Sequence, residues 1–180
     1  MAKIIGAINM TVDGYCDHTS GIADDEIHQH YSELLRESGA VLYGRITYKL
    51  MEYWIDVFHN PTGNKATDDF SVVINKIPKI VFSNTLKNVG WETAKLEKRN
   101  FKDVVSELKQ QPGKDILVGS RSLIIECLNL NLLEEFQLCV HPIIAGNGLS
   151  LFENINQKIS LDLLKTKTFE CGAVLHYYKP

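Results

Sequence analysis

Asp115-Ile116-Leu117-Val118-Gly119-Ser120-Arg121-Ser122 is the stretch on which the fold turns. Ile116, Leu117 and Val118 are apolar in succession, the pattern of a strand buried on both faces. Gly119 and Ser120 follow at once, and Leu123, Ile124, Cys127 and Leu128 then recur at helical spacing. A buried strand therefore runs through a small-residue turn straight into a helix. Gly119 permits close approach by another backbone or a ligand. The unpaired N–H groups of the first helical turn favour an anion in that gap. The plainer reading is an ordinary strand-to-helix turn with a Ser cap, and for this stretch alone it is the better one. The neighbouring stretches decide.

Upstream, the same device recurs. Ala40 to Tyr43 reads as a strand, and Gly44-Arg45-Ile46-Thr47-Tyr48 turns it into a helix. Lys79 to Phe82 is another strand, after the helix-stopping Pro78, and ends in Ser83-Asn84-Thr85. Lys3 to Met10 is a buried first strand, with small Gly6 and Ala7 suited to close packing or a ligand edge. Thr11-Val12-Asp13-Gly14 is a turn, and a polar loop runs to about Asp24. Asp24-Asp25-Glu26 opens a helix that reaches about Ser38 and is ended by Gly39. Residues 56–67 read as the least constrained loop, followed by a helix over 68–76. A short strand is expected at 91–93. Asn100 caps a helix to about Gln111.

Downstream, Glu134 to His141 alternates as a strand, followed by the Gly-rich segment Pro142 to Gly148. Residues 159–168 and 173–178 form an antiparallel hairpin around Cys171-Gly172. Strands alternating with helices predict one three-layer α/β/α domain over residues 1–180. Its mixed sheet is mostly parallel, with a C-terminal antiparallel hairpin.

A chain of 180 residues, 44% hydrophobic and 23% charged, suits one soluble domain with a sizeable core. Its net charge of -3 offers no bulk attraction to nucleic acid or to an anionic membrane. No apolar run spans a bilayer and no signal peptide opens the chain, so a cytoplasmic location is expected. The four cysteines, Cys16, Cys127, Cys139 and Cys171, make no CxxC pair. The six histidines lack metal spacing, so no metal is expected.

Three strand ends carry similar chemistry: Gly44, Arg45 and Thr47; Ser83 and Thr85; Gly119, Ser120 and Arg121. If the strands are parallel, all three ends open on one edge of the sheet, where ligands bind in α/β folds. Backbone N–H groups, hydroxyls and two Arg forks converging there suit a phosphorylated ligand.

Leu-Tyr-Gly-Arg-Ile-Thr-Tyr (42–48), Lys-Ile-Val-Phe-Ser-Asn-Thr-Leu (79–86), Val-Gly-Ser-Arg-Ser-Leu (118–123) and Leu-Leu-Glu-Glu-Phe (132–136), leading to the Gly-rich run at 141–152, resemble the RibD C-terminal domain family. That family shares the dihydrofolate reductase fold. Thr11-Val12-Asp13-Gly14 sits where it has a Ser-Leu-Asp-Gly signature. The resemblance implies NADPH bound across the carboxyl edge. Arg45 and Thr47 would lie at the adenosine and pyrophosphate end. Ser83 and Thr85 would hold the 2′-phosphate region, and Gly119 to Arg121 the pyrophosphate, with Gly44 among the cofactor-binding residues. Ala7, Asn9 and Asp13 would border the nicotinamide. It also implies a two-fold homodimer, which would cover the apolar hairpin edge at 174–178 and residues Leu149, Leu151 and Phe152.

The chain departs from the family on the substrate side. Riboflavin-pathway reductases tend to carry a Glu where this chain has Val118, and Ser120 replaces a second glycine. The Trp of dihydrofolate reductases is missing from 15–23. Asp24, Asp25 and Glu26 read as a helix start, not as catalytic acids. Asp13 reads first as a turn residue, His141 as a strand-end residue and Tyr43 as core; Tyr48 is open between core and cleft. The expectation is an NADPH-dependent reductase of a small heterocyclic or carbonyl substrate that performs neither the riboflavin nor the folate reaction. The alternative is a nucleotide-binding regulatory module without turnover.

Overall fold

Residues 2–180 are described by the structure, a computed structural model. Its centre is the quoted stretch. β5 (Asp115–Val118) lies between β1 (Ile4–Thr11) and β2 (Ser38–Gly44), parallel to both. Strands β3 (Lys79–Phe82), β4 (Ala94–Glu97), β6 (Glu135–His141), β7 (Asp162–Thr168) and β8 (Val174–Lys179) complete an eight-stranded sheet in the order β4-β3-β2-β5-β1-β6-β8-β7. The first six strands in that order are parallel; β8 runs antiparallel to β6, and β7 antiparallel to β8.

Both faces are covered, as the uninterrupted apolar strands require. On one face α1 (Asp25–Glu37) and α4 (Lys65–Lys76) bury Leu34, Leu35, Phe70, Val73 and Ile74 against Ile5, Val41, Tyr43, Val81 and Leu117. On the other, α5 (Phe101–Gln110) and α6 (Arg121–Asn129) bury Phe101, Val105, Leu123 and Ile124 against Ile4, Leu42, Ile116, Val118 and Phe136. Each Leu or Ile so buried contributes about 1.5–3 kcal/mol. Two short helices, α2 (Arg45–Met51) and α3 (Tyr53–His59), follow β2.

Several local expectations are corrected. Gly39 does not end α1. The Ser38 hydroxyl donates to the Leu34 carbonyl at 2.7 Å and closes the helix, and Gly39 sits in a bulge of β2 between Ser38 and Ala40. The loop expected over 56–67 shrinks, because Asp56 to His59 complete α3 and α4 begins at Lys65. What is left is tied down: the Asp68 carboxylate accepts the Thr62 and Gly63 N–H groups. The strand expected at 91–93 lies at Ala94–Glu97 instead. Trp91 is a core residue, its N–H donated to the Tyr48 hydroxyl. β6 alternates in sequence, yet Gln137, Cys139 and His141 are buried too, beneath α1 and the 20s loop. In the hairpin, β8 is an interior strand and β7 forms the edge.

Candidate functional site

The parallel strands bring the ends of β2, β3 and β5 to one edge, as the topology demands. A cleft of about 480 Å³ opens between the ends of β2, β3 and β4 and helices α5 and α6. Arg45, Ser83, Asn84 and Thr85 line it, over a floor where Phe82 meets Phe101 edge-on with ring centroids 5.0 Å apart. Arg45 is exposed and makes no hydrogen bond or ion pair with any described residue. Arg99 on the opposite wall is committed, with Glu97 on one side and Glu107 on the other. Those bonds hold the Glu97 carboxyl down at about 2. The Ser83 hydroxyl accepts the Thr85 and Leu86 N–H groups at 3.2 and 3.0 Å, so it shapes the turn as well as facing the cleft. Thr47 lies half-buried in the first turns of α2.

Beside the cleft stands the 119–121 turn. Ser120 precedes α6 but does not cap it. Its hydroxyl accepts the Gly44 N–H at 2.8 Å, joining the ends of β2 and β5. The N–H groups of the first turn of α6 therefore have no side-chain partner from Ser120, and the helix dipole is unneutralised there. The close approach at Gly119 is made by Tyr43: a Cβ on Gly119 would lie 2.7 Å from Tyr43 Cε1. Arg121 points the other way. Its Nε donates to the Ser150 carbonyl at 2.6 Å and its Nη2 to Glu153 at 2.9 Å.

At the ends of β1 and β6 the polar groups are interlocked. Asp13 accepts the N–H groups of Ala145 and Gly146, at 3.0 and 2.7 Å, and the Thr11 hydroxyl at 2.6 Å. These bonds hold its carboxyl down at about 2. It clamps the Gly-rich loop, a role beyond the Asp-Gly turn. Asn9 accepts the Tyr31 hydroxyl at 3.2 Å and lies 3.0 Å from His141 Nε2. His141 Nδ1 accepts the Ile22 N–H at 3.0 Å, so the ring is neutral with its proton on Nε2. Burial pushes its pKa down, which keeps it so. His141 is thus a strand-end residue with a structural task. Ala7 is buried beneath this network.

The structure brings Gly44, Arg45, Thr47, Ser83, Thr85, Gly119 and Ser120 to the cleft side of the edge. Ala7, Asn9 and Asp13 fall at the β1–β6 side, and Arg121 turns toward the 150s. Sequence reasoning missed His28. It sits half-buried on α1, one turn before Tyr31, its ring against Trp54 and Phe70 at 5.8 Å each. Neither ring nitrogen is hydrogen-bonded to a described residue, and burial pushes its pKa down against the opposing charges of Asp25 and Asp24. Its companion in sequence, His30, is bonded to Gln137 at 3.2 Å. Tyr43 and Tyr48 are both core. Among the described residues no cluster of three His, Cys, Asp or Glu could hold a metal ion, and no helix is long and apolar enough to cross a membrane.

The chain is 32% identical over 180 residues to the YyaP protein of Bacillus subtilis (strain 168), covering 98% of this chain and 94% of the relative. It is 24% identical to the YwjB protein of the same organism, over 98% of each. In structure it is similar to a proposed riboflavin biosynthesis protein of Shewanella sp. PV-4, with a TM-score of 0.76 at 19% identity, covering 99% and 98% of the two chains. It also matches a deaminase/5-amino-6-(5-phosphoribosylamino)uracil reductase of Thermotoga maritima, with a TM-score of 0.67 at 16% identity, over 99% of this chain and 56% of that one. These likenesses carry the fold, which is the mixed sheet with antiparallel hairpin expected of the dihydrofolate reductase type. With its family model matched across residues 2–175, the chain belongs to the RibD C-terminal domain family.

Proposed function

We propose that this chain is an NADPH-dependent reductase of a small heterocyclic or carbonyl substrate, working in the cytoplasm. The observation that carries the reading is the cleft in which the unengaged Arg45 guanidinium faces Ser83 and Thr85, next to the uncapped start of α6. The donor set fits the cofactor. Arg45 with Ser83, Thr85 and Thr47 would take the adenosine phosphate, and the Gly44 and 119–121 turns the diphosphate. Ala7 and Asn9 would border the reactive ring. Bound there, NADPH supplies a hydride. His28 is a half-buried titratable group on α1 with no hydrogen-bond partner among the described residues, and we assign it the delivery of the accompanying proton to the substrate. Asp13 takes no such part, since both its oxygens are occupied by the chain.

The riboflavin intermediate is not the substrate in this reading. Val118 is fully buried and has no polar side-chain atom to offer it. Titration of NADPH and NADH against the fluorescence of Trp54 and Trp91 tests the cofactor. Preference for NADPH is expected, and equal affinity or no binding overturns it. The alternative, a nucleotide-binding module without turnover, is favoured by the engagement of Asp13 and His141 within the chain. NADPH oxidation across a panel of small carbonyl and heterocyclic compounds separates the two.

We also propose a homodimer, formed through the outer surface of the hairpin. Leu163 and Phe152 are exposed there, beside the half-buried Tyr178 and over the buried Phe136. A two-fold pairing would set this apolar patch against its own copy.

A further inference from the structure

The loops after β1 and β6 are zipped into one body. The Thr11 N–H bonds Tyr15, Cys16 donates to the Leu149 carbonyl at 2.9 Å, and the Leu151 N–H returns to Gly14 at 2.9 Å. Asp13 clamps Ala145 and Gly146, and Asp17 accepts the Leu149 N–H at 2.7 Å. Gly148 is required by that clamp, because a Cβ there would lie 2.1 Å from the Asp17 carboxylate. Among the described hydrogen bonds and ion pairs, this double loop meets the 119–121 turn through one side chain, Arg121, held by the Ser150 carbonyl and Glu153.

The two ends of that tie are unequal. The Arg121 side chain is 18% exposed and that of Glu153 62% exposed. A pair with one partner in solvent is weak, whereas a phosphate offers a guanidinium a bidentate, charge-assisted contact. Arg121 is also the first residue of α6, so a diphosphate on that turn lies within its reach. Release leaves no buried charge behind, because Glu153 already stands in water.

We propose that Arg121 is an exchangeable latch. In one position it fastens residues 150–153 of the double loop to the start of α6, while Asn129 at the end of that helix holds Asn154 and Asn156. In the other it binds the diphosphate of the nucleotide and lets residues 150–153 go, so cofactor binding precedes and permits movement of that part of the loop at the sheet edge. This inference rests on the nucleotide reading above.

Hydrogen exchange read by mass spectrometry, on the full chain with and without NADPH and on Glu153→Gln, tests it. With NADPH, residues 119–123 should be protected while 143–153 exchange faster. Glu153→Gln alone should speed exchange at 143–153 and tighten NADPH binding, each by up to about fivefold, the worth of an exposed ion pair. Protection at 119–123 with 143–153 unchanged or slowed overturns the latch and leaves the nucleotide site standing. Unaltered exchange at 143–153 in Glu153→Gln overturns it whatever the nucleotide does. No protection anywhere, with no fluorescence change, overturns both the site and the latch.

Discussion

The hydroxyl of Ser120 accepts the N–H of Gly44 across the gap between two parallel strand ends, at 2.8 Å. A residue placed to cap its own helix thus binds the start of another. Removing it in Ser120→Ala leaves a part-buried N–H without its acceptor, at a cost of about 1–2 kcal/mol. Urea unfolding is expected to show a lower midpoint with an unchanged slope. NADPH affinity should fall as well, since the spacing of the two turns is no longer fixed. A variant as stable as the parent would deny the hydroxyl this role.

Gly119 is held to glycine by Tyr43. In Gly119→Ala the new Cβ meets the buried Tyr43 ring at 2.7 Å, and overpacking of this kind costs about 1–3 kcal/mol. Tyr43→Leu in the same chain removes the clash. A double-mutant cycle on unfolding free energies should therefore show a coupling that recovers part of the loss. Strict additivity of the two substitutions would count against the contact.

Arg45 is expected to set the choice of nucleotide. Arg45→Gln should weaken NADPH binding by roughly tenfold to a hundredfold, the worth of one charge-assisted phosphate contact, and barely alter NADH binding. The ratio of the two dissociation constants is the measurement. An equal loss for both nucleotides would place Arg45 away from the distinguishing phosphate.

Lys79 predicts a dependence of stability on pH. Its ammonium is buried, 3.9 Å from the Trp91 ring centre, and donates to the Ile77 carbonyl and the Thr93 hydroxyl with no carboxylate beside it. Burial pushes its pKa down to about 7, against about 10.4 in an unfolded chain. Because the folded value is the lower, stability should rise as the pH climbs from about 7 toward about 10.4 and level off outside that window. The rise should be on the order of 1–3 kcal/mol, since the carbonyl and the ring both favour the cation. Lys79→Met should abolish this component, and the difference between parent and variant at several pH values isolates it. Identical pH profiles would refute the assignment.

The hairpin predicts how the chain assembles. β7 is an exposed edge, but it carries a bulge at Leu164 together with Lys165 and Lys167, devices that discourage strand-to-strand pairing. Dimerisation is therefore expected through the face bearing Phe152 and Leu163. Leu163→Glu should shift the mass seen by light scattering toward the 20.3 kDa of one chain. A parent protein already at that mass at micromolar concentration would end the proposal.

The parts of the fold legible in sequence were those fixed by local pattern. The run 116–118 and its turn, the Asn100 cap and the hairpin turn at Gly172, with φ of +84°, depend on near neighbours. Elements decided by distant contacts were not legible. Trp91 leaves the strand because Tyr48 and Lys79 claim it for the core, and β6 is buried on its polar face because α1 covers it. The same divide runs through the site. Strand ends could be placed on one edge from the parallel order alone. That Asp13 and Arg121 spend their side chains on the 143–153 loop depends on contacts more than 25 residues away, which no local motif carries.

The Asn9 amide has no freedom to turn over. Its oxygen receives the Nε2 proton of His141, a donor that an NH₂ group in that place would face unpaired, and the Tyr31 hydroxyl, able to donate or accept, donates to the same oxygen. What remains for the sheet edge is Nδ2, whose protons no described residue accepts. The polarity of this corner is therefore set as hydrogen-bond donating, and any molecule seated against Asn9 must present an oxygen or an unprotonated nitrogen to it.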